Sequence, residues 1–308
     1  MVHREPYCLW GHDIKERNVE FLKGLDTDYF DFLTTLGLEA EDSKRASVML
    51  STTLHHATET LFSLVGAYVQ APDCVYAWIA KCQNSQLRNF VKDIASGDES
   101  IVRKLNLQSL SWEEISRSVC VYLPYEDEKK AAIANGFARA WRRLAGEFTD
   151  EFQIDQYNSL KHGLRLMPGG FKLAVGTEPA PGVKPSVFHD LGGSDYGMTY
   201  QKIRNIWPDK KSKSIKYTRT SVNWSINKVV GQLQLVSCSI CNVVSALKAV
   251  NGVPLTECKF LSPEPHDEFD KPWTHSVGVN NFNMDFTVDT SNTAPVTAEQ
   301  VIETFKQK

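Results

Sequence analysis

Apolar residues return every three or four positions through much of the first half of the chain. Between residues 44 and 70 this spacing predicts a long core helix that ends at the Ala71-Pro72-Asp73 turn. A second apolar run predicts a helix over about residues 74–95, antiparallel to the first. Ser111 followed by Glu114 matches a capping box, so a short helix is expected to begin there.

The longest helical stretch runs from about residue 126 to residue 166. Its apolar stripe predicts a buried face that contains Ile133, Phe137, Trp141, Leu144 and Phe148. A kink or a new N-cap fits the Thr149-Asp150 pair inside this stretch. After Pro168 glycine and proline separate short β-prone pieces, which predicts a turn-rich β region as far as residue 222.

A heptad repeat, with apolar residues every seven positions, identifies the last core helix over about residues 225–251. The repeating positions are Ile226, Leu233, Ile240 and Leu247, with Val229, Val236, Val243 and Val250 three residues behind each. The tail that follows is punctuated by proline and predicts strand structure between about residues 257 and 289. A short helix is expected from Thr297 to Lys308.

These elements predict a mainly α fold, a helical bundle of about four core helices with an inserted β-rich subdomain, and so α+β as a whole. Most bundle connections have about two to eight residues, so an insertion of roughly fifty residues is expected to be functional or a small subdomain. The predicted parts are an N-terminal segment with a leading helix (1–42), the first part of the bundle (43–166), the β-rich insertion (167–222), the last bundle helix (223–252) and a strand-bearing tail (253–308).

Composition narrows the class of protein. The chain has 308 residues, a net charge of −3 and a pI near 6.3, which argues against a surface that binds nucleic acid everywhere but leaves room for a local basic patch. No apolar run approaches the roughly 18 residues of a membrane span, and the first residues lack a signal-peptide pattern. We therefore expect a cytoplasmic protein that does not bind a membrane.

The seven cysteines are scattered and odd in number, so a disulfide framework is not expected. Cys238 and Cys241 form the only C-x-x-C, and it lies inside the heptad repeat without a second ligand pair. Buried structural cysteines are favoured over a metal or redox site. No P-loop, dinucleotide fingerprint or G-x-S-x-G elbow occurs, so no cofactor and no metal are expected.

A polar stripe near the end of the long third helix carries the candidate chemistry. Asn158, Lys161, His162 and Arg165 stand at positions i, i+3, i+4 and i+7, which places them on one helix face. An amide, an ammonium, an imidazole and a guanidinium together suit a phosphodiester or another anion. The alternative is an ordinary helix end, where such groups satisfy the last carbonyls and favour the helix dipole.

A helix that ends in Asn-x-x-Lys-His-Gly before the last core helix resembles the HEPN superfamily, many of whose members are RNases in bacterial defence and toxin systems. The resemblance covers about residues 43–251. His162 and Asn158 match the family's histidine and its polar position. The family's arginine, four to six residues before the histidine, is not matched, and Arg165 lies on the other side of His162.

The resemblance implies RNA cleavage without a metal, by attack of a 2′-hydroxyl on the adjacent phosphorus. His162 would act as general base or acid, because its ordinary pKa lies near neutrality. Lys161 or Arg165 would stabilise the developing charge on the phosphate, and Asn158 would orient the scissile group. The resemblance also implies a homodimer that pairs two such faces.

Two further groups of residues are candidate functional sites. His55, His56 and Glu59 lie within one turn of the first core helix and suit either a metal ligand set or a buried polar cluster with His162. A basic segment with interleaved aromatics suits either a nucleic-acid backbone or a solvated loop. Its basic residues are Lys202, Arg204, Lys210, Lys211, Lys213, Lys216 and Arg219.

The leading hypothesis is an RNA-directed defence or toxin-like protein, either an endoribonuclease or a binding relative that does not cut. The alternative is a non-catalytic interaction module, in which the bundle mediates oligomerisation and the β insertion recognises a protein partner. The candidate partners are therefore RNA, a protein bound through the β insertion, and a second copy of the chain.

Overall fold

The predicted fold class is confirmed, because a helical core carries a small antiparallel sheet. The computed structural model describes residues 13–97, 109–161, 165–206, 214–264, 266–289 and 297–306. The helices are α1 Asp13–Gly24, α2 Tyr29–Glu39, α3 Ser43–Gln70, α4 Val75–Lys81, α5 Asn84–Ser96, α6 Trp112–Cys120, α7 Asp127–Thr149, α8 Glu151–Lys161, α9 Ile226–Val250 and α10 Ala298–Lys306. The strands are β1 Leu166–Pro168, β2 Lys172–Val175, β3 His189–Gly193, β4 Gly197–Ile206, β5 Ser214–Asn223 and β6 Asn281–Asp289.

The core forms where α3 and α9 pack side by side, with α7 contacting α3, α5 and α6. The predicted apolar stripes supply its side chains, and Leu61, Phe137, Trp141 and Leu233 are fully buried. The indole Nε1 of Trp141 donates to Ser239 Oγ at 2.8 Å, which joins α7 to α9 inside the core. The apolar stripes therefore form the buried core, as their spacing predicts.

Helix α9 also has the length and mean hydropathy of a membrane span, although polar residues interrupt its apolar sequence. Of the window that meets this criterion, 72% is buried inside the fold. Packing against α3 accounts for that composition, because a helix surrounded on most sides by other helices is apolar around most of its circumference.

Three of the predicted helices are divided in the structure. The N-terminal segment holds two helices, α1 and α2, rather than one leading helix. The predicted helix over 74–95 breaks between α4 and α5, where Gln83 and Gln86 form a capping box. The longest predicted helix breaks at Asp150, whose Oδ1 accepts from the backbone N–H of Gln153 at 3.0 Å. Asp150 is thus the fresh N-cap that the Thr149-Asp150 pair allowed.

Helix α8 ends at Lys161, well before the predicted end at residue 166. The chain enters β1 at Leu166, which lies opposite Tyr200 of β4. Residues that pair in an antiparallel sheet have extended backbone and cannot continue the helix. Arg165, directly before β1, lies in a turn. The prediction that Arg165 shares a helix face with Asn158 and Lys161 is therefore wrong.

The main sheet has the strand order β1-β4-β5-β6, all antiparallel, and β2 pairs with β3 in a separate two-stranded sheet. Strand β6 comes from the C-terminal tail and pairs with β5 along its length, so the tail completes the sheet of the insertion. Alternation gives the main sheet two faces. Met198, Tyr200 and Val222 on the inner face are buried against the helices.

Candidate functional sites

The end of α8 presents its polar side chains to solvent. Asn158 and Lys161 are exposed on the helix, and Arg165 is exposed on the turn that follows. The ammonium of Lys161 lies 4.9 Å from the centre of the Tyr157 ring, a cation–π contact. His162 lies outside the described residues. The proposed grouping of these four side chains therefore stays a prediction, although the helix geometry offered for Arg165 is corrected above.

The described part of the basic segment is divided between the two faces of the sheet. Lys202 and Arg204 lie on the inner side of β4, and both pair with the Asp155 carboxylate of α8, Arg204 at 3.2 Å. Lys216 Nζ lies 2.7 Å from Asp285 Oδ2, and this hydrogen bond is the first cause of a lowered pKa of Asp285. Alternation places the exposed Arg219 on the outer face. Lys210, Lys211 and Lys213 are outside the described ranges.

Carboxylates thus neutralise three of the basic side chains that sequence grouped as a nucleic-acid surface. The sequence did not indicate the pairing with Asp155, because this residue lies far from β4 in the sequence and is brought next to it only by the fold. The acidic residues of β6 were missed for the same reason. The local charge of this surface is consequently lower than the lysine and arginine count indicates.

A polar cluster joins α3 to α8. The His55 ring stacks on Tyr157, with centroids 5.1 Å apart and planes inclined by 22°, and its Nε2 lies 3.4 Å from Nε2 of Gln156. Glu59 Oε2 accepts from Asn84 Nδ2 at 3.1 Å. Burial first, and then the charge of Glu59, raises the pKa of Tyr157 to about 12. His55 thus contacts Gln156 and Tyr157 of α8, while Glu59 is bonded to Asn84 of α5. The predicted partner His162 lies outside the described residues, so the cluster with His162 stays a prediction.

Burial also determines the charge of His55. Burial lowers the pKa of His55 from 6.5 to about 4, so the imidazole is neutral at pH 7. The neighbouring His56 is exposed and meets the edge of Phe30 instead. Within the described part of the chain no group of three or more His, Cys, Asp or Glu side chains is arranged to hold a metal ion.

A cavity of about 210 Å³ lies where α3, α7, α8 and α9 meet the end of β5 and the segment 275–280. We call it the junction pocket. Its walls combine aromatic rings with neutral and charged polar groups. They include His55, Glu147, Phe148, Gln153, Gln156 and Trp224.

The two charged side chains that line the junction pocket, Glu147 and Lys228, form an ion pair with each other. The Glu147 carboxylate accepts from Lys228 Nζ at 2.8 Å, from Gln232 Nε2 at 2.7 Å and from Trp273 Nε1 at 3.1 Å. Three donors on one carboxylate, one of them an ammonium, leave it little capacity to attract a cation. Glu147 and Lys228 therefore compensate each other, and His55 is neutral; His275 is the other titratable side chain that lines the pocket.

The outer face of the main sheet carries an apolar area that we call the outer patch. It consists of Ile203, Ile215, Tyr217, Met284, Phe286 and Val288. Ile203, Tyr217 and Phe286 form one row across three strands, and Ile215 lies opposite Val288 in the next row. Ile203 is 69% exposed, Phe286 49% and Val288 54%. Such exposure over neighbouring strands is unusual for a face that water covers.

The sequence of β6 carries a signal for one edge of the outer patch. Phe282, Met284, Phe286 and Val288 alternate with polar residues, which is typical of a strand with one apolar face. The partners on β4 and β5 could be identified only after the strand order was known, because β5 and β6 are separated by α9 and the segment beyond it.

The cysteines agree with a structural role. Cys241 is buried, and its Sγ donates to the carbonyl oxygen of Lys259 at 3.2 Å. Burial is the first cause of raised pKa values for the thiols of both Cys238 and Cys241. Protonated thiols are weak nucleophiles, which is typical of buried structural cysteines.

The chain matches no protein-family model, no curated protein and no solved structure in these comparisons.

Proposed function

We propose that the chain is a non-catalytic interaction module that associates with a second copy of itself through the outer patch. The observation that carries this proposal is the row of Ile203, Tyr217 and Phe286, which crosses three strands on the face of the sheet turned away from the helices. The proposal keeps the alternative function that the sequence offered, but moves oligomerisation from the helical bundle to the sheet.

The size of the patch supports an interface. Its exposed fractions correspond to apolar surface on the order of 400 Å², within the range of the largest patches on monomeric proteins, which often are binding sites. A standard interface takes about 800 Å² from each partner and has an apolar centre with a polar rim. Gln201 and Arg219 border the patch and provide part of such a rim.

The chemistry of the patch favours a copy of itself as the partner. None of its six side chains is charged, so two patches can meet across a twofold axis without opposing like charges. The rings of Tyr217 and Phe286, with centroids 5.9 Å apart, form a rigid aromatic centre. Two such sheets can pack face to face at about 10 Å, as in β-sandwiches.

Sedimentation velocity over a series of protein concentrations tests this proposal. We expect the wild type to change from monomer to dimer as concentration rises, and Phe286→Lys to weaken the association by at least about tenfold, because the lysine places a charge in the apolar centre. Phe188→Lys is the matched control, since Phe188 is 61% exposed and lies outside the main sheet. A wild type that stays monomeric, or equal losses in both variants, would contradict the proposal.

The RNA-directed function is the second candidate, and one observation favours it. Asn158 and Lys161 are exposed on α8 immediately after Asp155, the residue that holds Lys202 and Arg204. Asn158, one turn after Asp155, therefore lies near the basic side chains of β4. RNA bound at this surface would meet both, with phosphate contacts supplied by the lysines and the arginine.

Asp155→Asn provides the test of that candidate. The substitution removes the charge that pairs with Lys202 and Arg204, so RNA affinity should increase and should depend more steeply on salt concentration. Asp195→Asn is the control, because it releases Lys172 from a similar ion pair elsewhere on the surface. Fluorescence anisotropy with a mixed-sequence RNA measures both. No RNA binding, or the same gain in both variants, would exclude this surface as the RNA site.

A further inference from the structure

We infer that the junction pocket is a binding site for an uncharged, planar heterocycle of nucleobase size. This inference concerns a different part of the molecule from the outer patch and does not depend on self-association. It follows from three properties of the pocket, namely its volume, the pairing of its charged groups and the types of residue that line it.

Volume limits the ligand to a small molecule. Pockets for drug-sized ligands have about 300–1,000 Å³, and the junction pocket has about 210 Å³. It is also formed by parts of the chain that are distant in sequence, since α3, α7, α8, α9 and the segment 275–280 all contribute. A ligand held there would contact both the helical core and the end of the sheet.

Charge excludes most small anions and cations as the preferred ligand. Lys228 and Glu147 neutralise each other at 2.8 Å, and two further donors complete the coordination of the carboxylate. His55 stays neutral at pH 7 and adds no charge to the walls, and its Nε2 already faces the amide of Gln156. An ion that entered the pocket would lose its hydration without gaining a free opposite charge.

The walls suit a flat ligand with polar edges. Phe148, Phe152 and Trp224 provide aromatic surface on which a planar ring can stack. Gln153 and Gln156 line the same cavity, and each amide carries both donors and acceptors. Stacking together with paired donor and acceptor contacts along one edge is the mode by which proteins hold unpaired bases.

Isothermal titration calorimetry with adenine, guanine, cytosine and uracil tests the inference directly. At least one of these bases should bind the wild type saturably with one site per chain. Adenosine 5′-monophosphate should bind at least tenfold more weakly than adenine, because its phosphate adds charge. Absence of binding by all four bases, or equal binding of adenine and its monophosphate, would overturn the inference.

Variants locate the binding in the pocket. Gln156→Leu should weaken binding of the best base at least tenfold, and Gln153→Leu provides a second, less buried position in case the first variant does not fold. Gln234→Leu is the matched control on the exposed side of α9 and should bind as the wild type does. Loss of binding in the control, or undiminished binding in folded Gln156→Leu and Gln153→Leu, would place the ligand elsewhere.

The proposed self-association can fail independently of this result. Phe286→Lys alters the outer patch and leaves the pocket intact, so it should bind the base with wild-type affinity. A monomeric wild type that binds a base would overturn only the interaction module, whereas a dimer that binds none would overturn only the ligand site.

Discussion

Trp141→Ala is expected to reduce the free energy of unfolding by about 3–5 kcal/mol, the range for large aromatic truncations in protein cores. The ring of Trp141 is completely buried between α7 and α9, and its Nε1 is bonded to Ser239 at 2.8 Å. Alanine would leave a cavity at the centre of the bundle and remove that bond. Equilibrium denaturation in urea measures the change.

Trp141→Phe separates the two contributions. It keeps an aromatic ring in the core but loses the indole donor, so its effect should be less than half that of alanine. Ser239 still donates to the carbonyl oxygen of Leu235 at 2.6 Å and does not lose all its partners. A Trp141→Ala protein within about 1 kcal/mol of the wild type would contradict the packing described for α7, since surface substitutions have effects of that size.

Stability is expected to decrease as pH falls from 6.5 towards 4, because the unfolded chain binds a proton at His55 while the folded protein does not. The pKa of His55 is about 4 in the fold and 6.5 when the residue is free. The sign follows from linkage: the unfolded state holds more protons throughout this window, so stability rises with pH there. The difference in pKa corresponds to at most about 3 kcal/mol.

His55→Phe should flatten this part of the pH profile, because phenylalanine keeps a ring beside Tyr157 but cannot be protonated. His56→Phe is the control, since His56 is exposed and its substitution should leave the slope between pH 4 and 6.5 as in the wild type. Thermal unfolding at several pH values provides the measurement. The same slope in His55→Phe and in the wild type would show that another group is responsible.

Local periodicity explains why the helical core could be predicted from sequence. The stripe through Phe137 and Trp141 and the heptad repeat of α9 both place apolar residues on the buried side. Helix ends were predicted less well, because α8 ends where the chain joins a strand partner far along the sequence. Periodicity carries information about neighbours on one element and little about pairing between distant ones.

The candidate sites were harder to predict than the core, because they depend on contacts between residues distant in sequence. The lysines and arginines of the basic segment are evident in sequence, but their neutralisation by Asp155 and Asp285 depends on the packing of α8 and β6 against β4 and β5. The junction pocket draws on four separate stretches of the chain, 51–58, 144–156, 222–232 and 275–280, and has no local signature. The α3–α8 cluster was partly predictable, because a histidine and a glutamate on one core helix require polar partners.

The most direct test of the proposed self-association compares oxidation of two methionines. Met284 belongs to the outer patch and is 42% exposed, while Met167 on β1 is 45% exposed and lies three strands away. Their sulfoxide formation can be followed by mass spectrometry at low and high protein concentration. We predict that Met284 becomes protected as concentration rises while Met167 does not. Oxidation of Met284 that is equally fast at every concentration would contradict association through the outer patch.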